Sequence, residues 1–155
     1  MLNTSRRSIV RFILKRQPSI FLTFANLKLT MSDSTETISS ELLCDVIVKG
    51  IEELKGERIT ILDLREVESA VCDFFVICEG SSDTQIKSIA NSIVKETRNN
   101  ISERPWHIEG MENCEWVLID YANVVVHIFI KEKREFFSLE DLWADAKITQ
   151  LDSAQ

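Results

Sequence analysis

The sequence has no D-x-D, and its strand-borne acids Asp63, Asp73 and Asp120 stand singly. Metal-dependent nucleotidyl transfer needs a carboxylate pair to hold Mg²⁺ against a triphosphate, so that chemistry lacks its ligands. Only four glycines are present, too few and too scattered for a P-loop or a dinucleotide fingerprint. Cys44, Cys72, Cys78 and Cys114 show no C-x-x-C spacing, and His107 and His127 are the only histidines. A zinc site would need more ligands than this pattern offers. The cysteines read as small buried thiols rather than as disulfides. No Ser/His/Asp or Cys/His/Asn arrangement is readable. No apolar run reaches the roughly 18–20 residues that span a bilayer, and there is no internal repeat. These absences predict a chain that is not an enzyme, with no cofactor, no metal and no membrane span.

What is present is acid. The net charge of −7 conceals an asymmetry, because residues 1–30 carry Arg6, Arg7, Arg11, Lys15, Arg16 and Lys28 and no acid. The remainder holds 12 basic and 25 acidic residues, or −13. Nucleic-acid binding requires cationic contacts to phosphate, so direct binding is not expected. A basic protein partner suits an acidic body better; the same charge also serves solubility alone.

Residues 1–35 form a basic, hydroxyl-rich extension whose composition suits a mitochondrial presequence. Met31 opens MSDSTETISSE, a normal soluble start, so a mis-called initiation site or a disordered tail is the simpler account of residues 1–30. The extension is set aside from the fold. The domain is expected over 36–149, with 150–155 as a tail.

A helix capped by Ser39 or Ser40 carries Leu43, Val46, Ile47, Ile51 and Leu54 at helical spacing, with Gly56 in the C′ position. Arg58–Leu64 reads as a first strand. Cys72–Cys78 is a second, apolar enough to be covered on both faces. Ser82 and Gln85 have capping-box spacing ahead of a helix with Ile86, Ile89, Ala90, Ile93 and Val94 on one side. Pro105–Gly110 suits an edge strand. Trp116–Ile130 reads as a hairpin turning at Ala122-Asn123, with Asn123 supplying a positive φ. Ser138–Ala146 closes the chain as a helix with Leu139, Leu142, Trp143 and Ala146 apolar. The expected class is α/β (α+β): a mixed β-sheet of about five strands flanked by helices.

The hairpin carries the candidate site. A two-residue turn pairs Trp116 with Phe129 and Leu118 with His127. Alternation then puts Val117, Ile119, Tyr121, Val124, Val126, Ile128 and Ile130 on an apolar face. Trp116, Leu118, Asp120, Val125, His127 and Phe129 share a mixed face. Aromatics beside charged groups are what protein interfaces use. Gly80-Ser81-Ser82, at a strand-to-helix junction, offers a rival reading, a nucleotidyltransferase-type enzyme holding phosphate on its free amides, against its plainer reading as a helix cap.

CDFFVICEGSSDTQIKSIANSI, WVLIDYANVVVHIFIKEKREFFSLEDLWADA and the earlier ILDLRE together resemble the ribosomal silencing factor family, RsfS, also called Iojap. The resemblance runs from about Glu41 to Ile148. It implies a nucleotidyltransferase-like fold without catalytic carboxylates. It further implies binding to the large ribosomal subunit through its ribosomal protein fourteen, a small basic protein. Members so bound block the small subunit and damp translation under nutrient limitation; mitochondrial relatives act in large-subunit assembly. The resemblance places the protein in the cytoplasm on the ribosome, or in the mitochondrial matrix if residues 1–30 are a presequence. The expected state is a monomer on the ribosome, with a homodimer when free left open. The expected contact residues are Trp116, Leu118, Asp120, His127 and Phe129, extended by Glu132, Arg134, Glu135 and Phe136. Ala122-Asn123 replaces the family's usual Gly-Asp turn, and Phe136-Phe137 replaces its tyrosine pair.

Overall fold

The computed structural model describes residues 38–68 and 70–151. Helix α1 (Ser40–Glu53) starts where Ser39 Oγ accepts the Leu42 amide at 3.1 Å. Its left-handed terminal residue is Lys55 (φ 55°), not Gly56. Gly56 is required for space instead, because a Cβ there would lie 2.3 Å from Ile51 Cγ2. Strand β1 (Glu57–Asp63) begins with a bulge at Arg58, which sits at φ 48°. Strand β2 (Phe74–Gly80) is buried along its whole length, as a central apolar run should be.

Helix α2 (Asp83–Ile101) follows, then β3 (His107–Glu109), β4 (Trp116–Asp120) and β5 (Val124–Ile130). With a last strand β6 (Lys147–Gln150), the sheet order is β3-β4-β5-β2-β1-β6, with β3 at one edge. Only β2 and β5 run parallel; the other neighbours are antiparallel. Helices α1 and α2 cover one face, meeting Phe74, Val76, Cys78, Val117, Ile119, Val126 and Ile128 in the main core.

Beyond Ile130 the structure departs from expectation. Lys131–Phe137 is a helix, α3, and Leu139–Leu142 is a single-turn helix, α4. The longer helix expected over Ser138–Ala146 does not form. Ser138 adopts φ 41° and donates its hydroxyl to Glu135 O at 2.8 Å, so it closes α3 rather than capping α4 with its side chain. The apolar residues still do their packing: Leu139, Trp143 and Ala146 are buried. Lys147–Gln150 then pairs antiparallel with β1 as β6, making six strands among the described residues where about five were expected.

Helices α3 and α4 lie on the second face. Trp143 meets Phe75 edge-on at 5.6 Å. Arg134, expected at the surface, is buried. It donates to Arg58 O (2.6 Å), Thr60 Oγ1 (2.9 Å) and Glu140 Oε1 (3.0 Å from Nε), and lies 3.4 Å from Glu79. One guanidinium thereby ties α3, α4, β1 and β2 together.

Candidate functional site

The hairpin register is the expected one: Trp116 faces Phe129, Leu118 faces His127 and Asp120 faces Val125. The turn itself differs in which residue bends. Ala122, not Asn123, has the positive φ, at 72°. The Asn123 amide donates to Tyr121 O at 3.0 Å, so Ala122 is the centre of a three-residue γ-turn. Asp120 Oδ1 accepts the Ala122 amide at 2.7 Å, and Asn123 O accepts the amides of Asp73 and Phe74. These bonds hold a conformation that alanine adopts reluctantly.

Directly opposed residues of antiparallel strands share a face. The face away from α1 and α2 therefore reads, in rows across β3, β4 and β5, His107–Asp120–Val125 and Glu109–Leu118–His127, with Trp116–Phe129 beyond. His107 and Glu109 were not anticipated at the site, because the pairing of a three-residue edge strand leaves no periodic signal.

Burial divides the nine expected contact residues. Trp116, Leu118 and Asp120 are half-buried on the open part of this face, while Glu132, Glu135 and Phe136 are exposed on α3, Phe136 at 80%. His127 and Phe129 are 0% exposed, and Arg134 is buried in the network above. These three offer a partner almost no surface in this fold and lie beneath the face rather than on it. Phe129 is sealed by neighbours: Trp116 stacks on it at 5.0 Å and Phe137 tilts against it at 6.4 Å. His127 accepts the Trp116 indole N–H on Nδ1 at 3.2 Å and meets Phe75 edge-on at 4.8 Å. Burial pushes its pKa down to about 3, because charging an imidazole away from water is costly. The ring is therefore neutral. Burial also raises the pKa of Asp120, opposed by the Ala122 amide and by His107.

The result is a continuous aromatic cluster beneath a partly open surface. Trp116 touches Phe137 (4.6 Å), which meets the exposed Phe136 (5.1 Å). Glu115 beside Trp116 pairs with Lys133 at 3.2 Å.

The Gly80-Ser81-Ser82 junction is built as a cap. Ser82 Oγ accepts the Gln85 amide, Gln85 Oε1 accepts the Ser81 amide, and Asp83 accepts the Thr84 amide. A Cβ on Gly80 would lie 2.7 Å from Ile86 Cγ1, so glycine there serves strand-to-helix packing. The adjacent shallow cleft is lined by Glu57, Glu79 and Glu132 with one cation, Lys131, a poor setting for phosphate. The strand acids are also committed locally: Asp63 to Arg65, Asp73 to Ser40 and Asp120 to the turn. The buried thiols of Cys44 and Cys78 are held protonated by burial, each with a pKa near 12.

Residues 37–155 match the family described as "Ribosomal silencing factor during starvation". The chain is 36% identical over 115 residues to a protein of Halalkalibacterium halodurans named "Ribosomal silencing factor RsfS", covering 74% of this chain and 97% of that one. It is 26% identical to a mouse protein named "Mitochondrial assembly of ribosomal large subunit protein 1", covering 68% of this chain and 47% of the mouse protein. A crystal structure from Bacillus halodurans superposes with a TM-score of 0.62 at 32% identity, over 72% of this chain and 100% of that one.

Proposed function

Because the chain belongs to the ribosomal silencing factor family, we propose that it binds the large ribosomal subunit through that subunit's ribosomal protein fourteen. Bound there, it keeps the small subunit from docking and represses translation when nutrients are limiting. The observation that carries this reading is the family match across residues 37–155. No bond is made or broken in such a mechanism, so no catalytic residue, metal or cofactor is required. The protein acts as a monomer on the ribosome, without direct contact to nucleic acid.

The contact surface is the open part of the mixed face. Trp116 and Leu118 supply apolar area, and Asp120 meets a Lys or Arg of the basic partner. Glu132, Glu135 and Phe136 extend the surface along α3. The support is physical: these side chains retain accessible surface, and an aromatic cluster holds the indole from below. Removing one good aromatic anchor costs about 2 kcal/mol or more of binding.

Sucrose-gradient fractionation tests the function. The tagged protein should migrate with large subunits, and adding it should reduce the yield of joined ribosomes. Trp116→Ala should remain folded yet lose most of that comigration. Undiminished comigration of the folded variant would discard the proposed face; joined ribosomes unaffected by saturating protein would discard the silencing mechanism.

A second reading, assembly of the mitochondrial large subunit, is favoured by the name of the mouse relative. Depletion separates the two. Silencing leaves the number of complete large subunits unchanged, whereas an assembly role lowers it.

A further inference from the structure

We propose that His127 is a positioning residue for this docking surface: it clamps the Trp116 indole N–H from inside, so that Trp116 presents only carbon surface to its partner. The inference rests on the docking face proposed above and adds the chemistry by which that face recognises its partner.

An imidazole occupies an unusual place in this sheet. His127 is the central residue of β5, fully buried, with apolar or aromatic neighbours on its own face. Phe75 meets it edge-on at 4.8 Å, Phe129 lies nearly parallel at 6.2 Å, and Ile77 stands opposite on β2. A Phe or Leu would fill such a site without a desolvation penalty. Among the described residues the imidazole makes one hydrogen bond, accepting Trp116 Nε1–H on Nδ1 at 3.2 Å. An acceptor on Nδ1 places the ring's proton on Nε2. Nε2 has no nitrogen or oxygen partner among the described residues. An unpaired buried donor is unfavourable, so packing alone does not account for histidine here. Its one polar contact points at the indole of the surface residue best suited to anchor a partner.

That contact restricts what the anchor can do. With Nε1–H turned inward, the indole has no donor left for a carboxylate or carbonyl of the partner. Phe129 and Phe137 contact the ring from within the protein. The remaining indole surface is apolar and π-rich, and Asp120 projects from the same face of β4. This combination fits the aliphatic stem and cation of a Lys or Arg lying against the ring. Fixing the rotamer beforehand also spares its ordering at the moment of binding.

The test uses His127→Phe, which keeps an aromatic ring but no acceptor. His127→Asn restores a side-chain oxygen near the Nδ1 position. The Trp116 indole N–H is read by ¹⁵N NMR of the full chain, assigned by its loss in Trp116→Phe. It should exchange slowly in wild type and much faster in His127→Phe. His127→Phe should bind large subunits about tenfold more weakly, the worth of one well-placed hydrogen bond, and His127→Asn should recover part of that loss. A fast-exchanging Trp116 indole in the wild-type protein overturns the proposal without any variant. So does His127→Phe binding within about twofold of wild type while Trp116→Ala fails to bind; that outcome leaves the docking face standing. Wild-type binding by folded Trp116→Ala removes the face and this inference with it.

Discussion

At the scale of single residues, two positions hold a backbone conformation or a protonation state that water would not favour. His127 stays neutral down to about pH 3 in the fold, whereas an unfolded histidine protonates near 6.5. The unfolded chain therefore binds the extra proton between those values. The stability tied to this histidine is complete above about pH 6.5 and falls as acid is added, at roughly 1.4 kcal/mol per pH unit. Urea melts at pH 7 and pH 4.5 should show that loss in wild type and a smaller one in His127→Phe. Ala122 carries the other unfavourable state, a left-handed φ of 72°. A left-handed alanine costs about 1 kcal/mol or more, and glycine avoids it. Ala122→Gly should raise the urea midpoint by the equivalent of roughly 0.5–1 kcal/mol, with the m-value unchanged.

At the scale of elements, α3 and α4 are riveted to the sheet by Arg134. Its partner Glu79 is as buried as Arg134 itself, and Thr60 has its hydroxyl on the same guanidinium. Arg134→Met leaves Glu79 with only the exposed Arg58, at 2.8 Å. Breaking a buried pair from one side costs about 3–5 kcal/mol; Arg58 places this case at the low end. Equilibrium urea unfolding should show a loss near 3 kcal/mol. The same element shows what the sequence could not reveal. The hairpin was legible because alternation and a short turn jointly specify a register, and Trp116–Phe129 pairs as expected. KEKREFF has no apolar period, so its helix was invisible, and Arg134 read as a charge on the contact surface rather than as a buried tie. Lys147–Gln150 was missed because every residue of it is exposed. The candidate face was legible through parity, but its depth was not. Whether His127 and Phe129 are covered depends on Phe137 and Phe75, which approach from other elements.

At the scale of the whole molecule, the charge excess beyond residue 30 is −13, and the proposed partner is basic. Long-range attraction of this kind acts mainly on the association rate and is screened by salt. Raising ionic strength from about 50 to 500 mM should slow association with the isolated basic ribosomal protein by tenfold or more. Dissociation, governed by the Trp116 and Leu118 contacts, should change little. Stopped-flow binding with a labelled protein separates the two rates.

The position of β6 has a consequence for the order in which the chain can be completed. Strand β1 is bordered on its outer side by residues 147–150, and Leu151 donates its amide to Ile59 O at 2.9 Å. Strand β2 likewise waits for β5, its parallel neighbour, until residues 124–130 exist. During synthesis both sides of the β1–β2 pair remain open while the middle of the chain is still being made. Among the described residues, the last-made strand finishes the edge that the first-made strand begins. Such late, sequence-distant closure slows folding and prolongs the exposure of unpaired strand edges. A nascent chain stopped before residue 124 would present β2, apolar on both faces, as a template for aggregation.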